Sequence, residues 1–565
     1  SNTAGLDHYK NVASENFSKQ VYNTSFTHNQ DFNISSGTDK TKYIFSVNHI
    51  DQQGMKLNSD YKRSNASFKL DQKLGSKLTF TLNTRFVQEE NNGDESTGSS
   101  SGSALSTAFW FRPIATADVL GDMNVVTNPL LGDYNGLLQD EFNPVARIND
   151  NLNPNISRSL VANAALSWNI AKGLTAKTDL SLGSNWAKKK QFTGATFNQY
   201  LTTQGTKTYG GNARIRASEG TNYRWVNTLN YEIQGLGDNH KASILGGTEA
   251  FESNSEYMEV WGNKYPSSFD SVLAWANMDS YTRDPLTING GMSTKVNPSV
   301  SKNSYFGRAN YSYKDKYLLS GTFRADGSSS FSSGNRWGYF PAASAAWRIS
   351  QESFMQNVNW VSDLKLRVSY GEVGNDNISS GLWQQQWTAG GLTRFSLNEV
   401  QQSSYTLASS RLANYDLKWE TTTTRNIGLD FTLFNGKLNG TVDVYKNTVS
   451  DLLLVSPVPS YVGFTSTLLN VGATSNKGIE VSLNGDIVNT EDFNLKGSIN
   501  FNVNKGNVEE LLPGINNTYN SGWGGVHNSA GSGDYVFEVG KPVGLVRGWV
   551  ADGMYTTKDF DYNPA

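Results

Sequence analysis

The chain has 565 residues, of which 37% are hydrophobic, with a mean hydropathy of −0.49 and a formal net charge of −3. This small charge argues against a nucleic-acid-binding protein, and the absence of cysteine excludes disulfides and thiolate metal sites. No run of about 18 apolar residues occurs, so no transmembrane helix is predicted. Residues 1–4 lack the features of a signal peptide, so we expect a processed chain or a fragment.

Period-2 alternation of apolar and polar residues predicts pairs of β-strands along the chain, because successive side chains of a strand point to opposite faces. A polar lead-in segment is expected over residues 1–20, and the first strand is expected near 22–36. The predicted hairpin turns lie at residues 38–40, 74–76, 171–173, 235–238, 314–316 and 435–437. The last of these contains Asn435-Gly436, a good turn signal.

The clearest alternation surrounds the turn at residues 314–316. Tyrosines and aliphatic residues occupy one face, polar residues occupy most of the other, and Tyr313 and Tyr317 flank the turn. A transmembrane barrel hairpin has this pattern, with apolar side chains towards lipid, polar ones towards the lumen and aromatics at the interface. A hairpin of a soluble sandwich also alternates, so this hairpin alone does not decide between the two folds.

Long and short connections alternate along the whole chain, and this asymmetry favours the barrel. Long insertions are predicted at about 89–156, 187–220, 252–300 and 373–415, with short turns between them. Outer-membrane barrels have long extracellular loops and short periplasmic turns, whereas a sandwich has no reason to keep its long loops at one end. The sequence therefore predicts an all-β transmembrane antiparallel β-barrel of about sixteen strands over residues 21–565, without an internal domain boundary.

The alternation also assigns side chains to the two faces of the predicted wall, because a charge on the lipid face is costly. The residues predicted to face lipid are Leu319, Phe323, Leu366, Val368, Leu429, Phe431, Val442 and Val444. The residues predicted to face the lumen are Arg308, Arg324, Lys365, Arg367, Asp430 and Asp443. We expect these charges to pair with one another or with a plug domain.

Sequence motifs give no support for an enzyme. The G-x-S-x-G match at residues 98–102 lies in a low-complexity stretch rather than between a strand and a helix. The five histidines are scattered without metal-ligand spacing, so no metal or cofactor is predicted.

Tryptophans in the long insertions are the candidate substrate contacts, because an aromatic face offers a large contact area at low entropic cost. These candidates are Trp110, Trp261, Trp275, Trp383, Trp387 and Trp523. The same residues could instead pack one loop against another or contact a protein partner.

Several stretches of the chain resemble the SusC/RagA family of TonB-dependent outer-membrane transporters. They are residues 323–331 with 336–341 and 346–350, then 417–431, 470–480, 539–543 and 552–555, together with 37–43 and 51–54. The resemblance implies a barrel of about 22 strands. It also implies an N-terminal plug domain and a TonB-binding segment, neither of which is recognisable here. We therefore expect a barrel incomplete at the C-terminus, with open edges near 22–36 and 494–504.

The same resemblance implies a location in the outer membrane of a Bacteroidetes-like bacterium. It further implies import of a glycan or peptide with energy from the TonB complex, and a SusD-like surface lipoprotein as a lid. A passive porin or structural surface barrel is the alternative, and a secreted soluble binding protein is a third hypothesis. No feature of the residues separates a glycan from a peptide.

Overall fold

The computed structural model describes 15 stretches of the chain. They are residues 14, 16–93, 144–194, 199–201, 207–266, 268–281, 289–379, 381–385, 387–389, 395–397, 400–402, 405–407, 409–520, 535–546 and 553. The chain divides into two compact units. The first comprises residues 1–170, 176–227 and 250–300, and the second comprises 171–175, 228–249 and 301–565.

Sixteen long strands dominate the structure, as the alternation predicts. In chain order they are β1 (Thr27–Gly37), β2 (Thr41–Gln53), β3 (Asp60–Lys73), β4 (Leu78–Asn92), β5 (Asn155–Ala171), β6 (Leu174–Thr193), β7 (Gly211–Glu232), β8 (His240–Tyr265), β9 (Val300–Tyr313), β10 (Tyr317–Ser328), β11 (Trp337–Arg348), β12 (Val361–Asn375), β13 (Glu420–Leu433), β14 (Leu438–Ser450), β15 (Ala473–Asn489) and β16 (Asn494–Glu510).

Neighbours in sequence are antiparallel neighbours in the sheet. In the first unit, unbroken registers join β1 to β2, β2 to β3, β3 to β4 and β4 to β5. In the second unit, such registers run from β9 to β16, with bulges only near Asp363, Ala473 and Asp486. The β13–β14 turn has left-handed backbone at Phe434, Asn435 and Gly436, where Asn and Gly meet little steric cost.

Connections alternate in length, which confirms the predicted asymmetry. Connections after odd-numbered strands are short, the longest being residues 349–360. The four longest connections, 93–154, 266–299, 376–419 and 451–472, all follow even-numbered strands, as does 194–210. The predicted insertions 187–220 and 252–300 were too wide, because β6, β7 and β8 continue where the apolar alternation fades. The predicted insertion 373–415 lies too early in the chain, since β12 ends at Asn375 and β13 begins at Glu420.

Short elements occupy the long connections and the flanking segments. The helices are α1 (Phe17–Val21), α2 (Pro144–Asn149) and α3 (Ser271–Ala276), with 3-10 turns at Ile349–Gln351, Ser353–Met355 and Ser460–Val462. Two short strands join the main sheet, Asn151–Leu152 and Gly290–Val296. Smaller pairings involve Gln199–Leu201, Lys207–Tyr209, Trp387–Ala389, Phe395–Leu397, Val400–Gln402, Tyr405–Leu407, Arg411–Leu412, Leu453–Pro457, Ser466–Asn470, Asn517–Asn520, Tyr535–Glu538 and Leu545–Val546.

Within the described ranges, buried apolar residues form three small clusters rather than one central core. The largest cluster, in the second unit, comprises Phe331, Phe340, Leu417, Trp419 and Leu468. In the first unit, Val21 of α1 packs on Ile148 of α2, and Phe192 packs with Tyr265. Many large apolar side chains of the strands stay exposed, as expected for a sheet whose apolar face meets lipid.

Within the part of the chain that the structure describes, the two end strands of the long series each pair with one neighbour. Among the described residues, β1 has a register only with β2, and β16 has one only with β15. That these sixteen strands do not close a barrel by themselves stays a prediction. No helix in the described ranges is long and apolar enough to cross a membrane.

Candidate functional site: the charged face and the loop aromatics

A network of ion pairs crosses β12, β13 and β14 on one face of the sheet. The Arg367 guanidinium lies 2.7 Å from an Asp430 oxygen and 3.1 Å from Asp443 Oδ2. Lys365 Nζ lies 2.8 Å from Asp430 Oδ2. Both nitrogens of the Arg367 fork donate to Asp430, the paired geometry that makes arginine–carboxylate contacts strong. Four of the six predicted lumen-facing residues therefore form one connected cluster.

A glycine in the middle strand makes this network possible. Gly428 on β13 stands in register between Arg367 on β12 and Asp443 on β14. A Cβ at Gly428 would lie 2.4 Å from Asp443 Oδ1 and 2.6 Å from Arg367 Nη2. The missing side chain is thus the space through which the guanidinium reaches the third strand.

The other two predicted residues of this set have separate partners. Arg324 lies 3.0 Å from Glu249 and 2.7 Å from Asp326, and its guanidinium sits over the Phe306 ring. Arg308 donates to Asn310 Oδ1 at 3.1 Å and to Ser320 Oγ at 3.3 Å. These partners lie outside the predicted set, so the expectation that the charges of the set pair with one another is not met by either arginine.

The register separates the two predicted sets of side chains. Leu319, Phe323, Val368 and Val444 lie on the opposite face from the ion pairs, and between 46% and 53% of each is exposed. Register partners such as Leu366, Leu429 and Val442 extend this apolar face across β12, β13 and β14. That the charged face lines the lumen stays a prediction.

Two of the candidate tryptophans pack inside loop clusters. Trp383 lies against the cluster around Phe331 and makes an edge contact with Tyr415, with ring centroids 5.9 Å apart. Trp275 of α3 packs on Phe192, and its Nε1 donates to the Gln191 carbonyl at 3.0 Å. In the same cluster, burial raises the pKa of Tyr265 to about 12, and its phenol donates to the Met278 carbonyl.

The remaining candidates occupy different surroundings. Trp387 begins a short strand and is 63% exposed. Trp261 lies on β8 opposite Gly291, and its indole ring lies beside that glycine. Trp110 and Trp523 lie outside the described residues. The four described tryptophans lie in different surroundings, and substrate contact by any of the six stays a prediction.

Two carboxylates with several partners were missed by the sequence reasoning. Asp376, just beyond β12, lies 2.7 Å from Lys302 Nζ and accepts from Ser328 Oγ at 2.7 Å. Glu352, in the β11–β12 turn, accepts from Tyr317 Oη at 2.6 Å. Both residues lie in connections, where no apolar–polar alternation indicates the direction in which a side chain points.

The Glu352 carboxylate is held ionised by its neighbours. The Tyr317 hydroxyl, the Trp347 indole and the Lys316 ammonium all donate to it, and together they keep its pKa below the ordinary value. Glu352 thereby links the side chains of Tyr317 and Trp347 to the β11–β12 turn, near the short-turn end of the sheet. Aromatics at this position are typical of the membrane interface of a barrel.

The antiparallel sheet, its alternating connections and its two-faced wall define an outer-membrane β-barrel. The family model described as "TonB dependent receptor-like, beta-barrel" matches residues 127–564. The chain therefore belongs to the TonB-dependent receptor β-barrel family, whose Bacteroidetes members are outer-membrane proteins. A soluble secreted binding protein is accordingly excluded.

Named relatives make the likeness more specific. The chain is 31% identical over 499 residues to TonB-dependent receptor P26 of Formosa agariphila, covering 86% of this chain and 46% of the relative. It is 28% identical over 527 residues to TonB-dependent receptor SusC of Bacteroides thetaiotaomicron, covering 90% of this chain and 50% of SusC. The chain thus spans about half the length of these relatives.

Among solved structures, the fold is similar to the RagAB peptide importer in its open-open state. The TM-score is 0.76 at 22% identity, covering 94% of this chain and 54% of that chain. At this identity the likeness shows the fold. It agrees with the SusC/RagA resemblance of the sequence motifs.

Proposed function

We propose that this chain is the barrel of an active outer-membrane importer that takes up a glycan or peptide with energy from TonB. The family match over residues 127–564 is the observation that carries this proposal, because the family is that of TonB-dependent receptors. The likeness to SusC and to a peptide importer supports nutrient uptake of one of these two classes.

A SusD-like surface lipoprotein is the proposed partner, acting as a lid at the end that carries the long connections. The four longest connections all lie at this end, and loops of that length are common where a protein binds a partner or ligand. The resemblance to SusC supplies the identity of the partner.

Uptake in the native host tests the proposal. Labelled glycan and peptide mixtures would be offered to cells with and without TonB, and the intact transporter would be purified from outer membranes. We expect uptake to stop without TonB and a lipoprotein to co-purify. Uptake that persists without TonB, together with a barrel recovered alone, would favour the passive porin.

A further inference from the structure

Three strands are much longer than a strand needs to be to cross the membrane. β6, β7 and β8 have 20, 22 and 26 residues, whereas about 9–11 residues cross the hydrocarbon layer. Lys189, Arg216 and Tyr257 each lie about 16 residues from the short turn of their hairpin. They therefore stand beyond the lipid, at the end of the sheet that carries the long connections.

Basic side chains converge on one face of this extension. We call the group formed by Lys189, Arg214, Arg216 and Lys295 the cationic patch. Arg216 stacks on Tyr257, with its Cζ 3.8 Å from the ring centroid. Lys295 is the register partner of Tyr257. Partial burial lowers the pKa of the Lys189 ammonium, and the nearby charges of Arg214 and Arg216 lower it further.

The patch lies on the face opposite the exposed apolar side chains. Trp186, Lys188 and Met258 alternate with the patch residues along β6 and β8, and they point the other way. The patch is therefore on the same side of the sheet as the expected lumen, at its outer mouth. A lipid headgroup would meet the opposite face.

Near the cationic patch, basic residues outnumber acidic residues on the same face of the sheet. Among the described residues, Glu259 lies 3.7 Å from Arg214. Glu219 and Glu256, by contrast, alternate with the patch residues and point to the opposite face. Half of the Arg214 side chain is exposed, whereas only 13% of Glu259 is. Like charges this close repel one another unless an anion lies between them. The arrangement thus favours a ligand with negative groups.

Aromatic rings stand beside these cations. Tyr257 and Trp261 lie two positions from Glu259 on either side, on the same face of β8. Flat rings pack on the faces of sugars, and the arginine fork binds a carboxylate or sulfate through two parallel hydrogen bonds. Arginines at alternate positions of one strand stand about 7 Å apart, which suits a polymer with repeated charges.

We propose that the cationic patch, with Tyr257 and Trp261, binds the carboxylate or sulfate groups of an acidic glycan as it enters the barrel. This inference rests on the proposed import function and narrows its substrate class. Neutral glycans and peptides are then not the principal cargo.

Calorimetric titration of the intact transporter, purified with its lipoprotein, tests the proposal. The probes are hexagalacturonate for carboxylates, a sulfated carrageenan hexasaccharide for sulfates, neutral maltohexaose and hexaglutamate as an acidic peptide. We expect one acidic saccharide to bind best and its affinity to fall as salt rises. Arg216→Gln should weaken that binding about tenfold or more, the usual loss of a hydrogen bond to a charged group.

Two further variants keep the test specific. Lys188→Gln removes a charge from the neighbouring residue on the opposite face, and it should leave binding unchanged. Arg216→Lys keeps the charge but loses the fork, so it should bind with intermediate affinity. A heat-modifiable band on gels would show that each variant folds.

Several results would overturn the inference. These are tighter binding of maltohexaose, equal binding of hexaglutamate, no binding of either acidic saccharide, or the same loss in Lys188→Gln as in Arg216→Gln. TonB-dependent uptake of a neutral glycan would leave the proposed function standing while removing the acidic substrate. Loss of TonB dependence would instead remove the proposed function itself.

Discussion

Gly428 lets one arginine hold three strands together. Arg367 bonds to Asp430 on the adjacent strand and reaches Asp443 on the next by passing over a residue without a side chain. A charged side chain in a sheet stabilises the fold most when several acceptors satisfy its hydrogen-bond donors. The pattern explains why a small residue stands between charged positions on this face.

Gly428→Ala should break the contact between Arg367 and Asp443 while leaving the one with Asp430. Because both side chains are partly exposed, we expect a loss of about 1 kcal/mol in the free energy of unfolding. Urea titration of the protein folded into lipid vesicles measures it. Gly321→Ala on β10 is the matched control, since a Cβ there meets no atom within 4 Å. Equal stability of the two variants would contradict the bridging role.

Residue partners were only partly predictable from the sequence. The alternation predicts that Arg367, Asp430 and Asp443 lie on one face. The reason is that side chains at every second position of a strand point to the same face. It could not show that Trp275 and Trp383 pack inside loop clusters, since loop packing depends on contacts between segments distant in sequence. Nor could it pair Arg324 with Glu249, which lies 75 residues away.

At the scale of elements, strand ends were harder to predict than strand centres. Lys189, Arg214 and Arg216 fall inside the predicted insertion 187–220, yet they belong to β6 and β7. Beyond the lipid both faces of a strand meet water, so the apolar period that marks a strand vanishes. Hydrogen bonds between neighbouring strands still extend the sheet there.

The two faces of β10 provide a direct test of the predicted wall. Leu319→Cys and Ser320→Cys place a thiol on each face, in a chain that has no native cysteine. We expect a polar maleimide to label Ser320→Cys in intact membranes, and bromolipids to quench a fluorophore only at Leu319→Cys. The reverse pattern would show that the register of faces is inverted.

For the whole molecule, the sixteen strands and their alternating connections follow from the sequence. Turn signals such as Asn435-Gly436 and the period of two recur often enough that errors at single strands do not change the total. Closure does not follow, because it depends on strand number, tilt and shear together. That further strands complete the barrel stays a prediction.

Cysteine pairs test whether β1 and β16 meet in the membrane-embedded protein. The control pair, Phe45→Cys with Phe68→Cys, occupies register partners on β2 and β3 and should cross-link under mild oxidation. Ile34→Cys should form no disulfide with a cysteine placed at Ile499, Phe501 or Val503. An efficient bond at any of these positions would mean that the two edges close on each other.

The extended strands also determine how costly it is to bind at the outer rim. A rim built only of loops loses backbone conformational entropy when a partner binds to it. The cost is roughly 1–2 kcal/mol per ordered residue. β7 and β8 carry a hydrogen-bonded ladder up to that height, so much of this entropy is already lost when the barrel folds. A partner that binds at this rim can therefore associate rapidly and still dissociate, as repeated cycles of substrate capture and release require.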